Sequence, residues 1–106
     1  MKIRKGDIVE WKWESPDVLM RLSYKVEQVE NHFSTKKVGF SSGNASTRGS
    51  YVFQFNKPGI FHYWSGYVNF KNISFRGTIQ VQDSSDKLLD IEVLTNGYKG
   101  FLIHLD

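Results

Sequence analysis

The chain has 106 residues, of which 24% are charged and 15% aromatic, and it contains no cysteine. A domain of this length can bury an adequate core without disulfides, and its aromatic content argues against disorder. Without cysteine there is no thiolate metal site and no thiol nucleophile. The net charge of +3 comes from scattered basic residues, so we expect no nucleic-acid partner. No stretch reaches the ~20 apolar residues of a membrane span, and no apolar signal-like run follows Met1.

Apolar and polar residues alternate with a period of two along most of the chain, which predicts short, half-buried β-strands. In the first of them, Val9, Trp11 and Trp13 alternate with charged residues. In chain order the predicted strands cover residues 9–13, 22–29, 38–40, 50–55, 60–65, 77–81, 88–94 and 98–105. Turn residues separate them, notably Pro58-Gly59, where Gly59 should have a positive φ, and Asn96-Gly97, a hairpin signal.

Short strands with regular turn signals are typical of sandwiches and barrels. Helical periodicity is nearly absent, so we expect an all-β, two-sheet Greek-key sandwich with little helix. The apolar members of the alternating runs should form its core: Val9, Trp11, Val26, Phe53, Phe55, Phe61, Tyr63, Ile79 and Val81.

The order of motifs over most of the chain resembles that of the cupredoxins. GDIVEWKW (6–13) is similar to the opening strand of that family. YVFQF, NKPG, IFHYWS and RGTIQV (51–81) then follow in the order of the copper-loop half of plastocyanin-like proteins. The resemblance implies a cupredoxin-like sandwich over residues 1–82. For residues 83–106 we predict a β-hairpin, which is either an extension of the sandwich or the start of a following region.

The resemblance also places the family's copper ligands on residues of this chain. A blue-copper centre uses two imidazoles, a thiolate and usually a thioether. Counting from Pro58-Gly59, the family's cysteine falls on Ser65, the next histidine near Val68 and the methionine on Phe75. The remaining histidine falls near Tyr24. The resemblance therefore implies four vacated ligand positions and a domain with no metal and no other cofactor.

The segment FSSGNASTRGSYVFQFNKPGIFHYWSGYVNF (40–70) is similar to the cupredoxin-like segment of the fibrocystin-L family. Members of that family are very large receptors with one membrane span and repeated immunoglobulin-like extracellular domains. The resemblance implies a non-catalytic interaction or spacer module from the extracellular part of such a membrane-anchored receptor. We expect the piece itself to be soluble and monomeric, with no direct membrane insertion. Its protein or glycan partner is unknown.

Three aromatic residues form a candidate recognition surface beside the loop that starts at residue 66. Trp64 opposes the alternation of its strand, Tyr67 follows a glycine and Phe70 lies in the same loop. For Trp64 and Tyr67 the alternative is packing against a second sheet. Loops on a rigid scaffold often carry function. In addition, Asn44 and Asn72 begin N-x-S sequons in predicted loops, which favours secretion and N-glycosylation.

No catalytic arrangement is expected. Ser65 lies in a Trp-Ser-Gly triplet, which lacks the pattern of a nucleophile elbow. His32, His62 and His104 show no metal-ligand spacing. A carbohydrate-binding domain that uses exposed aromatic residues is the alternative function, and a blue-copper electron carrier is a less favoured one because cysteine is absent.

Overall fold

The computed structural model describes residues 1–15, 22–68, 74–83 and 100–105. Within these ranges the regular structure consists of β-strands and includes no helix. The strands are β1 (Lys2–Arg4), β2 (Ile8–Glu14), β3 (Glu27–Val29), β4 (Lys37–Ser41), β5 (Arg48–Gln54), β6 (Gly59–Trp64), β7 (Arg76–Gln82) and β8 (Gly100–His104). Each of them except β1 overlaps a strand that the alternation predicted.

The strands form two mixed sheets. The larger sheet has the order β1-β7-β6-β3-β4, and the smaller has the order β5-β2-β8. β1 pairs in parallel with β7, and β8 pairs in parallel with β2, whereas the other pairs are antiparallel. The prediction of an all-β fold with two sheets is therefore confirmed.

The inner faces of the two sheets meet in a core rich in aromatic side chains. At its centre Trp11 is fully buried, and its ring centroid lies 5.3 Å from that of Tyr63 in the opposite sheet. Such edge-to-face pairs add to the stabilisation from burial alone. The buried members of the predicted core are Val9, Trp11, Val26, Phe55, Tyr63, Ile79 and Val81. Phe53 and Phe61 are instead partly buried and pack against that core.

Two short strands tie distant parts of the chain to the sheets. β1 places Ile3 beside Val81, where Ile3 is buried in the core. β8 lies beside β2, and the buried Leu105 directly follows it. Residues 100–105 are therefore part of the same two-sheet structure. The predicted strand over 88–94 and the Asn96-Gly97 turn lie outside the described residues.

The strand predicted over residues 22–29 is wrong in its extent, because only its last three residues form β3. Before β3 the backbone pairs with two separate partners instead of one continuous strand. Tyr24 and Ser46 form an isolated antiparallel bridge, and the Lys25 N–H donates to the Ser65 carbonyl at 2.9 Å. This irregular segment brings Tyr24 to the end of β6.

The Pro58-Gly59 turn joins β5 to β6. Gly59 has a φ of 146°, so the predicted positive φ is confirmed. Glycine reaches this region without the steric cost that a Cβ would add. The turn returns the chain from the smaller sheet to the larger one.

Candidate functional site

Ser65 stands directly after β6 and is fully buried. Its hydroxyl donates to the Gly66 carbonyl at 3.0 Å and accepts from the Phe75 backbone N–H at 2.8 Å. The Ser65 backbone N–H in turn donates to the Phe75 carbonyl at 2.8 Å. The side chain therefore closes the base of the loop that leaves β6 and returns at β7. Among the described residues its hydroxyl contacts backbone groups and no histidine.

Three of the four positions matched to copper ligands come together at this end of the molecule. Phe75 bonds Ser65 as described, and its ring stacks on that of Tyr24 with centroids 6.0 Å apart. Val68 is buried and belongs to the same hydrophobic core as Tyr24. Phe75 is nevertheless 42% exposed. Phe75 therefore covers Tyr24 from the solvent side.

These positions do not supply the donors of a blue-copper centre. They offer a phenol, a hydroxyl and two apolar side chains, where copper requires imidazoles and a thiolate. The histidines lie elsewhere: His62 is bonded to Thr78 Oγ1 at 3.0 Å, and its ring is 6.3 Å from that of His32. Over the described part of the chain, no three His, Cys, Asp or Glu residues are grouped as metal ligands.

Trp64 lies on the outer face of the larger sheet, as its position in the alternation predicted, but it is only 5% exposed. Its indole N–H donates to Glu27 Oε1 at 3.0 Å, and Glu27 Oε2 lies 3.4 Å from Lys25 Nζ. Arg76 covers the ring, with its guanidinium carbon 5.1 Å from the ring centroid. The expectation that Trp64 is exposed for recognition is therefore wrong. It instead forms a small core on the outer face.

Arg76 has a second role on that outer face. Its Nη1 donates to the carbonyls of His32 and Ser34, at 3.1 and 2.7 Å. The guanidinium thus fixes the β3–β4 loop while it packs on Trp64. A cation over a tryptophan ring is favourable, and it is more so where water is partly excluded.

The sequence does not reveal this arrangement. Glu27, Trp64 and Arg76 lie directly opposite one another in three adjacent strands. Pairing registers between residues so far apart in the chain are set by the whole sheet. The one local signal was the position of Trp64 on the polar face of β6, which indicates an unusual neighbour but does not identify it.

Tyr67 keeps the exposure expected of a recognition residue, at 56%. Its ring meets Trp64 edge to face, with centroids 5.0 Å apart. The buried Trp64 thus supports the exposed Tyr67. Phe70, the third predicted contact, lies outside the described residues.

We expect Trp64→Phe to destabilise the domain by about 1–3 kcal/mol, because it leaves the buried Glu27 carboxylate without its indole donor. Tyr67→Phe is the matched control and should change stability by less than about 0.5 kcal/mol, since its side chain is exposed. Urea unfolding of both variants measures the difference. Equal stabilities would contradict the structural role assigned to Trp64.

One of the two predicted glycosylation sites is described. Asn44 is exposed. The sequon serine, Ser46, also has a structural role, because its hydroxyl donates to the Arg48 carbonyl and accepts from Trp13 Nε1 at 3.3 Å. Asn72 lies outside the described residues.

Comparison with known proteins gives a sequence relationship and no structural one. No family model and no solved structure matches the chain. It is 35% identical over 85 residues to fibrocystin-L of Mus musculus and 36% identical over 85 residues to that of Homo sapiens. The alignments cover 76% of this chain, which spans about 2% of the length of these curated relatives. No helix in the described ranges is long and apolar enough to cross a membrane. The chain is therefore homologous to a short segment of fibrocystin-L.

Proposed function

We propose that this domain is a non-catalytic, metal-free, cupredoxin-like interaction or spacer module of a large extracellular, receptor-type protein. The observation that carries the proposal is the homology to fibrocystin-L over a segment of about 2% of its length. A segment so small relative to the whole is the size of a single domain in a modular chain. The chemistry of the Tyr24–Ser65–Phe75 cluster supports the same proposal, since these side chains hold the fold together through backbone bonds and ring stacking.

Two features support the cupredoxin-like, Greek-key part of the proposal. Strands distant in sequence become neighbours, because β1 pairs with β7 and β8 pairs with β2, both in parallel. In addition, residues matched to separate copper ligands of the family meet at one end of the molecule. Both features are expected if the domain descends from a copper-binding ancestor and has lost the metal.

The extracellular placement rests on the homology and on the exposed Asn44 sequon. An N-linked glycan requires a surface position in a secreted chain, and Asn44 provides one. The domain would then act as a soluble monomer within the larger protein and contact another protein or a glycan through Tyr67. Neither nucleic-acid binding nor direct membrane insertion forms part of this function.

Carbohydrate binding through exposed aromatic residues is the second candidate. Tyr67 and Phe75 support it, because both rings are more than 40% exposed. The burial of Trp64 weakens it, since the largest of the proposed stacking platforms is covered by Arg76. A neutral-glycan array with wild-type protein and Tyr67→Ala tests whether the ligand that Tyr67 contacts is a carbohydrate. Saturable binding that the substitution abolishes would favour carbohydrate recognition.

Copper should not stabilise the domain. A ligand present at 100 times its dissociation constant stabilises the native state by ~2.7 kcal/mol, which would raise the Tm of a domain this size by roughly 10–20 °C. We expect no such shift with Cu(I) or Cu(II). We also expect no copper-dependent Tm shift for Ser65→Cys, because no imidazole lies at the matched positions. A Tm rise of that size in the wild type, or an intense visible thiolate-to-copper band in the variant, would contradict the metal-free proposal.

A further inference from the structure

A cavity of about 450 Å³ opens on the outer face of the smaller sheet. Its polar lining comes from all three strands: Lys12 and Glu14 of β2, Arg48 and Ser50 of β5, and His104 of β8. The volume falls within the usual ~300–1,000 Å³ of small-molecule sites. It is large enough for one or two sugar rings.

The strand register explains why these side chains converge. Lys12 in the central strand lies directly opposite Ser50 on one side and His104 on the other. Glu14 lies opposite Arg48 in the next outward-facing row. Directly opposed residues of neighbouring strands have Cβ atoms about 4.5–5.5 Å apart, so the five side chains occupy one small area.

The charge of the cavity is unbalanced. Among the described lining residues, Lys12 and Arg48 carry positive charges, Glu14 carries the one carboxylate, and His104 adds an imidazole. Over the described ranges, none of the Lys12, Glu14 and Arg48 side chains has an ion-pair or hydrogen-bond partner. These donors are therefore available to an anion from solution.

The floor of the cavity is rigid. Trp13 is 5% exposed, and its indole N–H donates to the Ser46 carbonyl at 3.1 Å. Its ring packs against Gly49, where an added Cβ would lie only 2.7 Å from Cζ2. The ring lies on the inner face of β2, opposite to Lys12 and Glu14, so it supports the strands beneath the cavity and offers no face for stacking. Recognition must therefore come from the charged and polar rim.

We infer that this cavity binds an acidic sugar, through a carboxylate or sulfate group held by Arg48 and Lys12. A guanidinium binds such planar or multidentate oxyanions with two parallel hydrogen bonds. The Glu14 carboxylate then accepts hydrogen bonds from sugar hydroxyl groups, and the Ser50 hydroxyl accepts from them or donates to them. A simple inorganic anion has no hydroxyl groups for these contacts. The inference builds on the proposed interaction module but concerns a different site from Tyr67.

The test is calorimetry and amide chemical-shift mapping of the 106-residue chain with 3′-sialyllactose, a sulfated heparin tetrasaccharide, lactose and sodium sulfate. One or both acidic oligosaccharides should bind and shift the amides of Lys12, Arg48 and Ser50. Lactose should not bind, and sulfate should bind at least about tenfold more weakly, because it lacks hydroxyls for Glu14. The two acidic probes distinguish carboxylate from sulfate recognition.

Arg48→Gln should weaken the binding at least about tenfold, which corresponds to one charge-assisted contact. Lys57→Gln is the matched control: it removes the same charge from an exposed position beyond the far end of β5 and should have no effect. Tyr67→Ala should also have no effect. Equal losses in the Arg48 and Lys57 variants, equal binding of lactose, or no binding of either acidic probe would overturn the inference. The copper titration is unaffected by these outcomes and tests the proposed function separately.

Discussion

Trp11→Ala should destabilise the domain by about 3–5 kcal/mol, because it truncates the largest fully buried side chain among the described residues. Trp11 is completely buried, and its ring contacts those of Phe40, Tyr51 and Phe55 besides Tyr63 in the opposite sheet. The substitution therefore leaves a large cavity where the two sheets meet. Since small domains are stable by only ~5–15 kcal/mol, urea denaturation should show a strongly lowered midpoint.

Phe33→Ala is the matched control, because it also truncates an aromatic ring but at a position that is 86% exposed. It should change the unfolding free energy by less than about 0.5 kcal/mol. If Trp11→Ala does not fold, Trp11→Phe gives a graded measurement. This milder change keeps an aromatic ring in the core and removes only part of the buried volume. A wild-type midpoint for either Trp11 variant would show that the sheets do not pack as described.

Gly77→Ala should destabilise the domain by about 1–3 kcal/mol or more through overpacking. Gly77 of β7 lies directly opposite Tyr63 of β6 on the inner face, and the tyrosine ring lies across the glycine backbone. A Cβ at residue 77 would overlap the ring, since it would stand 2.7 Å from Cε2 and closer still to Cζ and Oη. Tyr63 is buried, so its ring has little room to move aside. Thermal unfolding should show a fall in Tm of several degrees.

A double-mutant cycle tests the cause. In a Tyr63→Leu background the ring is gone, and Gly77→Ala should then cost little, which gives a large coupling energy. Gly100→Ala is the matched control, because an added Cβ at that strand position meets nothing within 4 Å. It should be neutral or slightly stabilising. Additive effects of the Gly77 and Tyr63 substitutions would contradict the steric explanation.

Burial in the core also changes the pKa of two tyrosine side chains. Desolvation raises the pKa of the Tyr63 phenol above its usual value, and it does the same to the pKa of Tyr51. Both side chains are therefore neutral over the physiological range and add no charge to the core. Tyr63 thus acts in the fold as a large apolar side chain with a polar tip.

Local sequence was sufficient to predict most strands and most of the core. The alternation of Val9, Trp11 and Trp13 assigns each side chain to one face, because successive Cβ atoms of a strand point in opposite directions. Pro58-Gly59 likewise predicted its turn, because proline restricts φ to turn-compatible values and glycine reaches positive φ without steric cost. These features depend on neighbouring residues in the sequence, so they are the same whichever strands pair with one another.

Other features depended on which strands become neighbours. β1 was not predicted, because three residues carry little periodicity and their partner in β7 is more than seventy residues away. The exposure of Trp64 was wrong for a related reason. The alternation correctly placed the Trp64 side chain on the outer face of the sheet. Glu27 and Arg76 bury that side chain, and only the pairing of β3, β6 and β7 brings them beside it.

One candidate site was predicted from the sequence, and the other was found only in the structure. The resemblance supplied Tyr24, Ser65 and Phe75 as a set, and the structure shows how backbone bonds and stacking join them. The cationic cavity had no sequence signal, because Lys12, Arg48 and His104 are separated by dozens of residues in the chain. The sequence by itself thus determined which residues form strands and which face each side chain takes, since both follow from local backbone geometry. Only the tertiary structure decided which side chains meet across strands, because pairing register is a property of the assembled sheets.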